Sequence, residues 1–369
     1  DYHFNLGATL QEKGDLLYAI YYFQEAIKLN KNFPEAYNNL GNTFLQKGEV
    51  DKAIKSYNKA IEIKPIYAEA YNNLGNALRL EGDLVNAISA CEKAIKYRNN
   101  YSEAYLNLGN IYKDNNDISN ATKFYSLALK YKPNFPEAYN NIGQILLGEG
   151  NINKSIKYYK KAIELKDSFP EAHYNLANSL LLIGDYKKGW EEYEYRFHKK
   201  QPSKTHAKPS IKKWDGGELG DQSLLLVSEQ GLGDTIQFMR YILYLKTSGI
   251  RVAFCAQKKL HNLIKSSQID DKPLLAEQVE SIYEGQWLPL LSLPNYLEIN
   301  QKNALITSPY IKTNPKLINK WKKKLKEENM TVIGINWQGN KGTENNNLKG
   351  RSFKLELLSP LAQINNIRF

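Results

Sequence analysis

Residues 33–42 read FPEAYNNLGN, and close copies stand at 67–76 (YAEAYNNLGN), 101–110 (YSEAYLNLGN), 135–144 (FPEAYNNIGQ) and 169–178 (FPEAHYNLAN). The copies lie 34 residues apart. Glycines at 7, 41, 75, 109 and 143 keep that interval, and Ala177 continues it. Aromatic or imidazole residues follow it at His3, Tyr37, Tyr71, Tyr105, Tyr139 and His173, and apolar ones at Leu6, Leu40, Leu74, Leu108, Ile142 and Leu176. Small residues recur at Ala19, Ala53, Ala87, Ala121, Ser155 and Gly189, and again at Ala26, Ala60, Ala94, Ala128 and Ala162. Each unit reads as two antiparallel helices, with small positions that let backbones approach and large ones that fill the gaps between units. Pairs such as Gly48-Glu49 and Gly82-Asp83 mark the turn within a unit. No unit buries its apolar face alone, so the stack is the smallest stable object.

This period and pattern resemble the tetratricopeptide repeat. The resemblance covers residues 1–200 in about six units. The last unit diverges, with Arg196 where a small residue is expected and Gly189-Trp190 thickening its second helix. That divergence suits a terminal repeat docking onto something other than another repeat.

One series has a functional reading. Asn5, Asn39, Asn73, Asn107, Asn141 and Asn175 each precede the apolar residue of a first helix. Stacked at a fixed rise, they make a ladder of amides, and an amide that both donates and accepts can hold an extended peptide by its backbone. The arrays of protein O-linked N-acetylglucosamine transferases carry a similar series with that role. Common descent of the repeats and helix-to-helix hydrogen bonding within the array are the plainer alternatives, but six out of six with variable neighbours favours groove lining.

Composition bounds the rest. With 369 residues, 42% hydrophobic and 24% charged, the chain is ordinary for two or three globular domains. No stretch approaches the roughly 20 apolar residues that span a bilayer, and no signal segment opens the chain. Cys91 and Cys255 have no metal-ligand spacing and read as buried reduced thiols, which favours a cytoplasmic location. The net charge of +11 is mostly lysine spread along helices. Its one concentration, His198–Lys213, reads as a solvated connector rather than a nucleic-acid site.

After Trp190 the period is lost. Residues 191–197 still read as helix, and a basic linker covers 201–222. From Ser223 strands and helices alternate. Strands are expected at Ser223–Val227, Arg251–Cys255, Trp287–Leu291 and Thr331–Trp337, and helices at Asp234–Thr247, Gln257–Ser267 and Pro315–Glu328. That order argues for a parallel sheet covered by helices. The expected fold class is therefore α plus α/β, a solenoid followed by a Rossmann-like domain at 223–329 and the start of a second at 330–369.

Within that part, Trp214-Asp215-Gly216, Glu229–Phe238 (EQGLGDTIQF), Arg240-Tyr241, Pro289–Pro294, Gly334–Gly339 and Arg351-Ser352 resemble bacterial proteins in which a tetratricopeptide array is fused to a heptosyltransferase-like, family 9-like glycosyltransferase. The resemblance covers residues 185–369, and EQGLGDTIQF is its specific motif. It implies two Rossmann-like domains facing across a cleft (the GT-B arrangement), with acceptor on the first and nucleotide-sugar on the second. It also implies that Asp234 is the base taking the acceptor proton. A carboxylate suits that task. Glu229, Gln230, Gly231 and Gly233 would surround the acceptor, while Arg351 and Lys341 would meet the donor phosphates, which need positive charge. No metal-binding acidic pair or other cofactor site is expected.

The same residues carry plainer readings. Asp234 with Gln237 reads as a capping box. Gly231 and Gly233 lack the third glycine of a dinucleotide turn, since Ile236 stands there. A carboxylate at that helix start would repel a phosphate, so the turn favours a hydroxyl-bearing acceptor. Glu229 and Gln230 either bind that acceptor or pair across the turn. Only about 40 residues of the second domain are present, against the ~150 expected for such a domain, so a fragment that cannot turn over alone is anticipated. Three functions stay open: a glycosyltransferase acting on a glycan or protein presented by the array, a non-catalytic protein-interaction scaffold, and an enzyme like the O-linked N-acetylglucosamine transferases.

Overall fold

The computed structural model describes residues 2–229, 231–305, 308–325, 331–332 and 367–368. They fall into two units. The first comprises residues 1–204 together with 292–304, and the second comprises 205–291 and 305–369.

The first unit holds six antiparallel helix pairs. They are α1 (Tyr2–Glu12) with α2 (Leu16–Leu29), α3 (Pro34–Gln46) with α4 (Val50–Ile63), and α5 (Ala68–Glu81) with α6 (Leu84–Tyr97). Then come α7 (Ser102–Asp114) with α8 (Ile118–Tyr131), α9 (Pro136–Gly148) with α10 (Ile152–Leu165), and α11 (Pro170–Ile183) with α12 (Tyr186–Tyr193). Local chemistry sets the boundaries. Pro34, Pro136 and Pro170 open helices at a position where the missing N–H costs nothing. The Asp83 and Asp117 side chains accept from the backbone N–H of Asn86 and Asn120 at the starts of α6 and α8. Gly82 and Gly184 end α5 and α11 in the left-handed conformation, which costs glycine nothing.

The glycine series has a more specific cause than close backbone approach. A Cβ built on Gly109 would lie 2.4 Å from the Tyr125 ring, and those on Gly41 and Gly143 would lie 2.5 and 2.6 Å from the Tyr57 and Tyr159 rings. These three first helices thus present a flat spot on which a wholly buried ring of the same repeat's second helix lies. In the third repeat that ring is replaced by Cys91, whose Sγ would stand 2.4 Å from a Cβ on Gly75. Cys91 and Cys255 are both buried and free, and burial pushes both thiols up to about 12.

Beyond α12 a 3-10 turn, Glu194–Phe197, closes the array. Arg196 within it is 1% exposed. Its guanidinium donates to Tyr193 O (3.2 Å), Glu194 Oε1 (2.6 Å) and Ser292 Oγ (2.8 Å). It also lies over the Phe197 ring, 4.1 Å from the centroid. The short helix Leu293–Tyr296, which follows Ser292, packs on α12. The divergent sixth repeat therefore receives a returning segment of the chain.

In the second unit, β1 (Leu224–Val227) is the middle strand of a three-stranded parallel sheet, with β2 (Val252–Cys255) and β3 (Gln286–Pro289) on either side. Leu226 pairs with Phe254 and with Leu288. All four β1 residues are buried, as a strand covered on both faces requires. The three strands expected between 223 and 291 are thus present and parallel, a small sheet that does not by itself make a Rossmann-like domain. The expected helix 234–247 is two helices, α13 (Leu232–Phe238) and α14 (Arg240–Thr247), broken at Met239. The Tyr310 hydroxyl donates to Ile236 O (2.7 Å) near that break. A helix does cover Pro315–Leu325. Residues 205–217, expected as linker, pack on the sheet: Ala207 and Trp214 are buried, and Trp214 N donates to Trp287 O at 2.8 Å. A two-residue parallel pairing joins Thr331–Val332 to Ile367–Arg368.

Candidate functional site

The first helices of successive repeats line a hollow of about 660 Å³, bounded by residues of α5, α7, α9 and α11. A second hollow of about 470 Å³ lies three repeats upstream. The asparagine series runs along these helices, and its amides have specific partners. Asn73 Nδ2 donates to Asn38 Oδ1 (3.0 Å), Asn107 to Asn72 (2.8 Å) and Asn175 to Asn140 (2.9 Å). Each of these bonds reaches 35 residues back, to the preceding repeat. At 106 a leucine replaces the acceptor. Asn141 donates instead to Asn110 Oδ1 at 2.8 Å, which also accepts the Tyr125 hydroxyl at 2.8 Å. Four of the six ladder asparagines thus bond between repeats, the hydrogen bonding that one of the sequence alternatives held. The acceptors Asn38, Asn72 and Asn140 are buried. Asn39, Asn73, Asn107, Asn141 and Asn175 are half-buried, while Asn5, at the array's start, is exposed.

A second series went unread in the sequence. Lys64, Arg98, Lys132 and Lys166 pair with Glu35, Glu69, Glu103 and Glu137, each 29 residues upstream. The same cations lie over the rings of Tyr67, Tyr101, Phe135 and Phe169, at 4.3–5.0 Å from the centroids. One cation therefore serves the carboxylate of one repeat and the ring that opens the next. The period of 34 in these three residue types was the signal that could have found it. The pairs stand at four of the five junctions, and residues of the Glu35–Lys64 and Glu137–Lys166 pairs border the two hollows.

At the other candidate site, Gly231 caps α13 with extended backbone, so Asp234 stands at the third helical position rather than at the cap. This corrects the capping-box reading, because the helix starts at Leu232. Asp234 folds back toward the turn; a Cβ on Gly231 would meet its Oδ2 at 2.1 Å, so a side chain there would have to turn the exposed carboxylate aside. A Cβ on Gly233 would meet nothing. Asp234 and Gly233 are exposed, Gly231 is half-exposed and Glu229 is buried. The carbonyl of Glu229 accepts from Gln257 Nε2, and Thr235 Oγ1 donates to Gln257 Oε1 (3.1 Å). Gln257 thereby ties the end of β1 to α13. Gln230, Lys341 and Arg351 lie outside the described residues. Among the described residues no cluster of His, Cys, Asp or Glu could hold a metal ion, and no helix is long and apolar enough to cross a membrane.

The six stacked pairs and their lined hollows define a helical repeat solenoid with a groove of ligand size. The repeats are tetratricopeptide repeats. Family models described as TPR repeat match residues 12–48 and 41–82, and models described as tetratricopeptide repeat match 78–145 and 136–169. No curated protein matches the chain. Among solved structures it is similar to MamA, at 32% identity over 44% of this chain and 94% of that one, with a TM-score of 0.38. It is also similar to TTC0263, a thermophilic TPR protein in Thermus thermophilus (25% identity, 49% and 98% covered, TM-score 0.45). A third is YrrB, described as a TPR protein with an unusual peptide-binding site (23% identity, 47% and 89% covered, TM-score 0.35).

Proposed function

We propose that the chain is an interaction scaffold whose repeat groove holds an extended protein segment by its backbone. The observation that carries this reading is the state of the ladder. Asn73, Asn107 and Asn175 each use one N–H on the neighbouring repeat. An amide has a second N–H and a carbonyl oxygen. Held rigid by the first bond and half-buried, those groups would present alternating donors and acceptors, which is what an extended backbone needs; Asn141 of the same series lines the larger hollow. Matched hydrogen bonds of this kind ask for no particular side chain, so they suit a scaffold.

Immobilised pools of random heptapeptides, probed with the full chain, test it. Binding by the wild type that is lost in the Asn73→Ala/Asn107→Ala/Asn141→Ala variant, with helicity retained, supports the reading. A wild type that binds no pool sinks it.

A second reading is favoured by one observation only. Asp234 is exposed in the first turn of a helix that follows the middle strand of a parallel sheet, the region where such sheets place ligands. There a sugar would pass from a nucleotide-sugar to an acceptor hydroxyl, with Asp234 as base, Glu229, Gln230, Gly231 and Gly233 around the acceptor, and Arg351 and Lys341 on the phosphates. The family matches lie within residues 12–169 and lend this reading no support. A nucleotide-sugar screen comparing wild type with Asp234→Asn decides it. Equal transfer by both would remove the base, and no transfer by either would leave the scaffold.

A further inference from the structure

Along the array, one position of the first helix carries Gln11, Leu45, Arg79, Lys113, Leu147 and Leu181. Only the third and fourth repeats place a cation there, side by side in the wall of the larger hollow. The two cations differ in their partners. Arg79 is neutralised: its Nη1 lies 2.6 Å from Asp114 Oδ2, and its Nη2 donates to Asn76. Lys113 is not. Its Nζ donates to the neutral Gln144 Oε1 at 3.2 Å, and no carboxylate among the described residues lies within ion-pair distance of it. The junction lysines Lys64, Lys132 and Lys166 all have such a partner.

A half-buried ammonium answered by one amide oxygen is poorly compensated. Burial lowers the pKa of Lys113, and nearby Arg79 adds to that while Asp114 opposes it. The carboxylates bordering the hollow are already engaged: Glu137 pairs with Lys166, and Glu171 accepts the Lys200 backbone N–H at 2.9 Å. The hollow therefore offers an unmatched positive charge beside the Asn110 and Asn141 amides, with room for a side chain.

We infer that the groove selects segments carrying an aspartate or glutamate, whose carboxylate seats on Lys113 while the flanking backbone lies along the asparagines. The inference rests on the peptide-groove reading above. The backbone bonds supply register-tolerant affinity, and the one desolvated ion pair supplies the choice of sequence.

Heptapeptide pools with a fixed central residue and random flanks test it on the full chain. Pools centred on Glu or Asp should bind about tenfold more tightly than those centred on Gln, with Lys-centred pools weakest. That preference should fade as salt rises toward about 1 M, where charges are screened beyond about 3 Å. Lys113→Met should level the pools without abolishing binding, and Lys113→Glu should turn the preference toward Lys. Binding of all pools alike by the wild type would overturn the inference and leave the groove reading standing; this comparison needs no variant to fold. An acid preference that survives Lys113→Met would overturn the assignment to this residue. Binding of no pool would remove both the inference and the reading it rests on.

Discussion

Asn141 bonds at 2.8 Å to Asn110, on the first helix of the preceding repeat, and Asn110 Oδ1 accepts the Tyr125 hydroxyl as well. In the second repeat the equivalent Asn42 accepts only from Tyr57, also at 2.8 Å. The load on the two asparagines therefore differs although their local sequences agree. Asn42→Ala removes one bond of about 1 kcal/mol net. Both changes leave a buried tyrosine hydroxyl unanswered, but Asn110→Ala also removes the bond from Asn141, so its cost should be larger by about 1 kcal/mol. Chemical denaturation of the two variants checks the difference.

Gly109→Ala drives a methyl into the Tyr125 ring and should destabilise by about 1–3 kcal/mol. Gly233→Ala meets nothing and sits within a helix, where alanine is the better residue by up to about 1 kcal/mol. The pair should shift thermal midpoints in opposite directions. Equal losses would refute the packing account of the glycine series.

His173 ties the last repeat together. Its Nδ1 lies 2.5 Å from Glu192 Oε2 and its Nε2 2.9 Å from the Asp167 carbonyl, so both nitrogens face acceptors. The ring stacks on Tyr195 at 3.7 Å. Burial pulls its pKa down, but the Glu192 carboxylate and the Asp167 carbonyl outweigh burial and the net shift is upward. A raised folded-state value means the stabilisation is full below the unfolded value of about 6.5 and is lost as pH rises through the folded one. The thermal midpoint of the wild type should fall toward that of His173→Gln across this window. Parallel profiles for the two proteins would exclude the linkage.

Arg196→Ala strips the buried guanidinium from Glu194 and Ser292 and should cost about 3 kcal/mol. Residues 292–304 should then become sensitive to limited proteolysis while the first five repeats keep their helicity. Unchanged cleavage in the variant would show that other contacts hold the segment.

The repeats were legible because each unit restates the same packing problem, and six restatements separate signal from noise. The pairing of Gly109 with Tyr125 was not read, because an offset of 16 within a unit has no meaning until two helices are placed side by side. The partners of Asn73 and Asn107 were hidden for a related reason: their acceptors stand one repeat back and one residue off the ladder. In the second unit β1 and β2 were placed to within a residue by their apolar runs. The break at Met239 carries no proline or glycine to announce it. The return of Ser292 to the array depends on a partner 96 residues away, and no local pattern encodes such a meeting.

Asn73, Asn107, Asn141 and Asn175 each donate one unit upstream, and this gives the protein a natural unit of length change. Excising residues 68–101 would bring Asn107 to the place of Asn73, opposite Asn38, and would leave Lys64 over Tyr67 at the new seam. Gene-level loss or gain of 34 residues can thus lengthen or shorten the bound stretch of a partner without a new interface having to evolve. Lys113, present in one copy, would travel with its own unit, so the distance from the start of the groove to the acid-selecting point becomes something that duplication can tune.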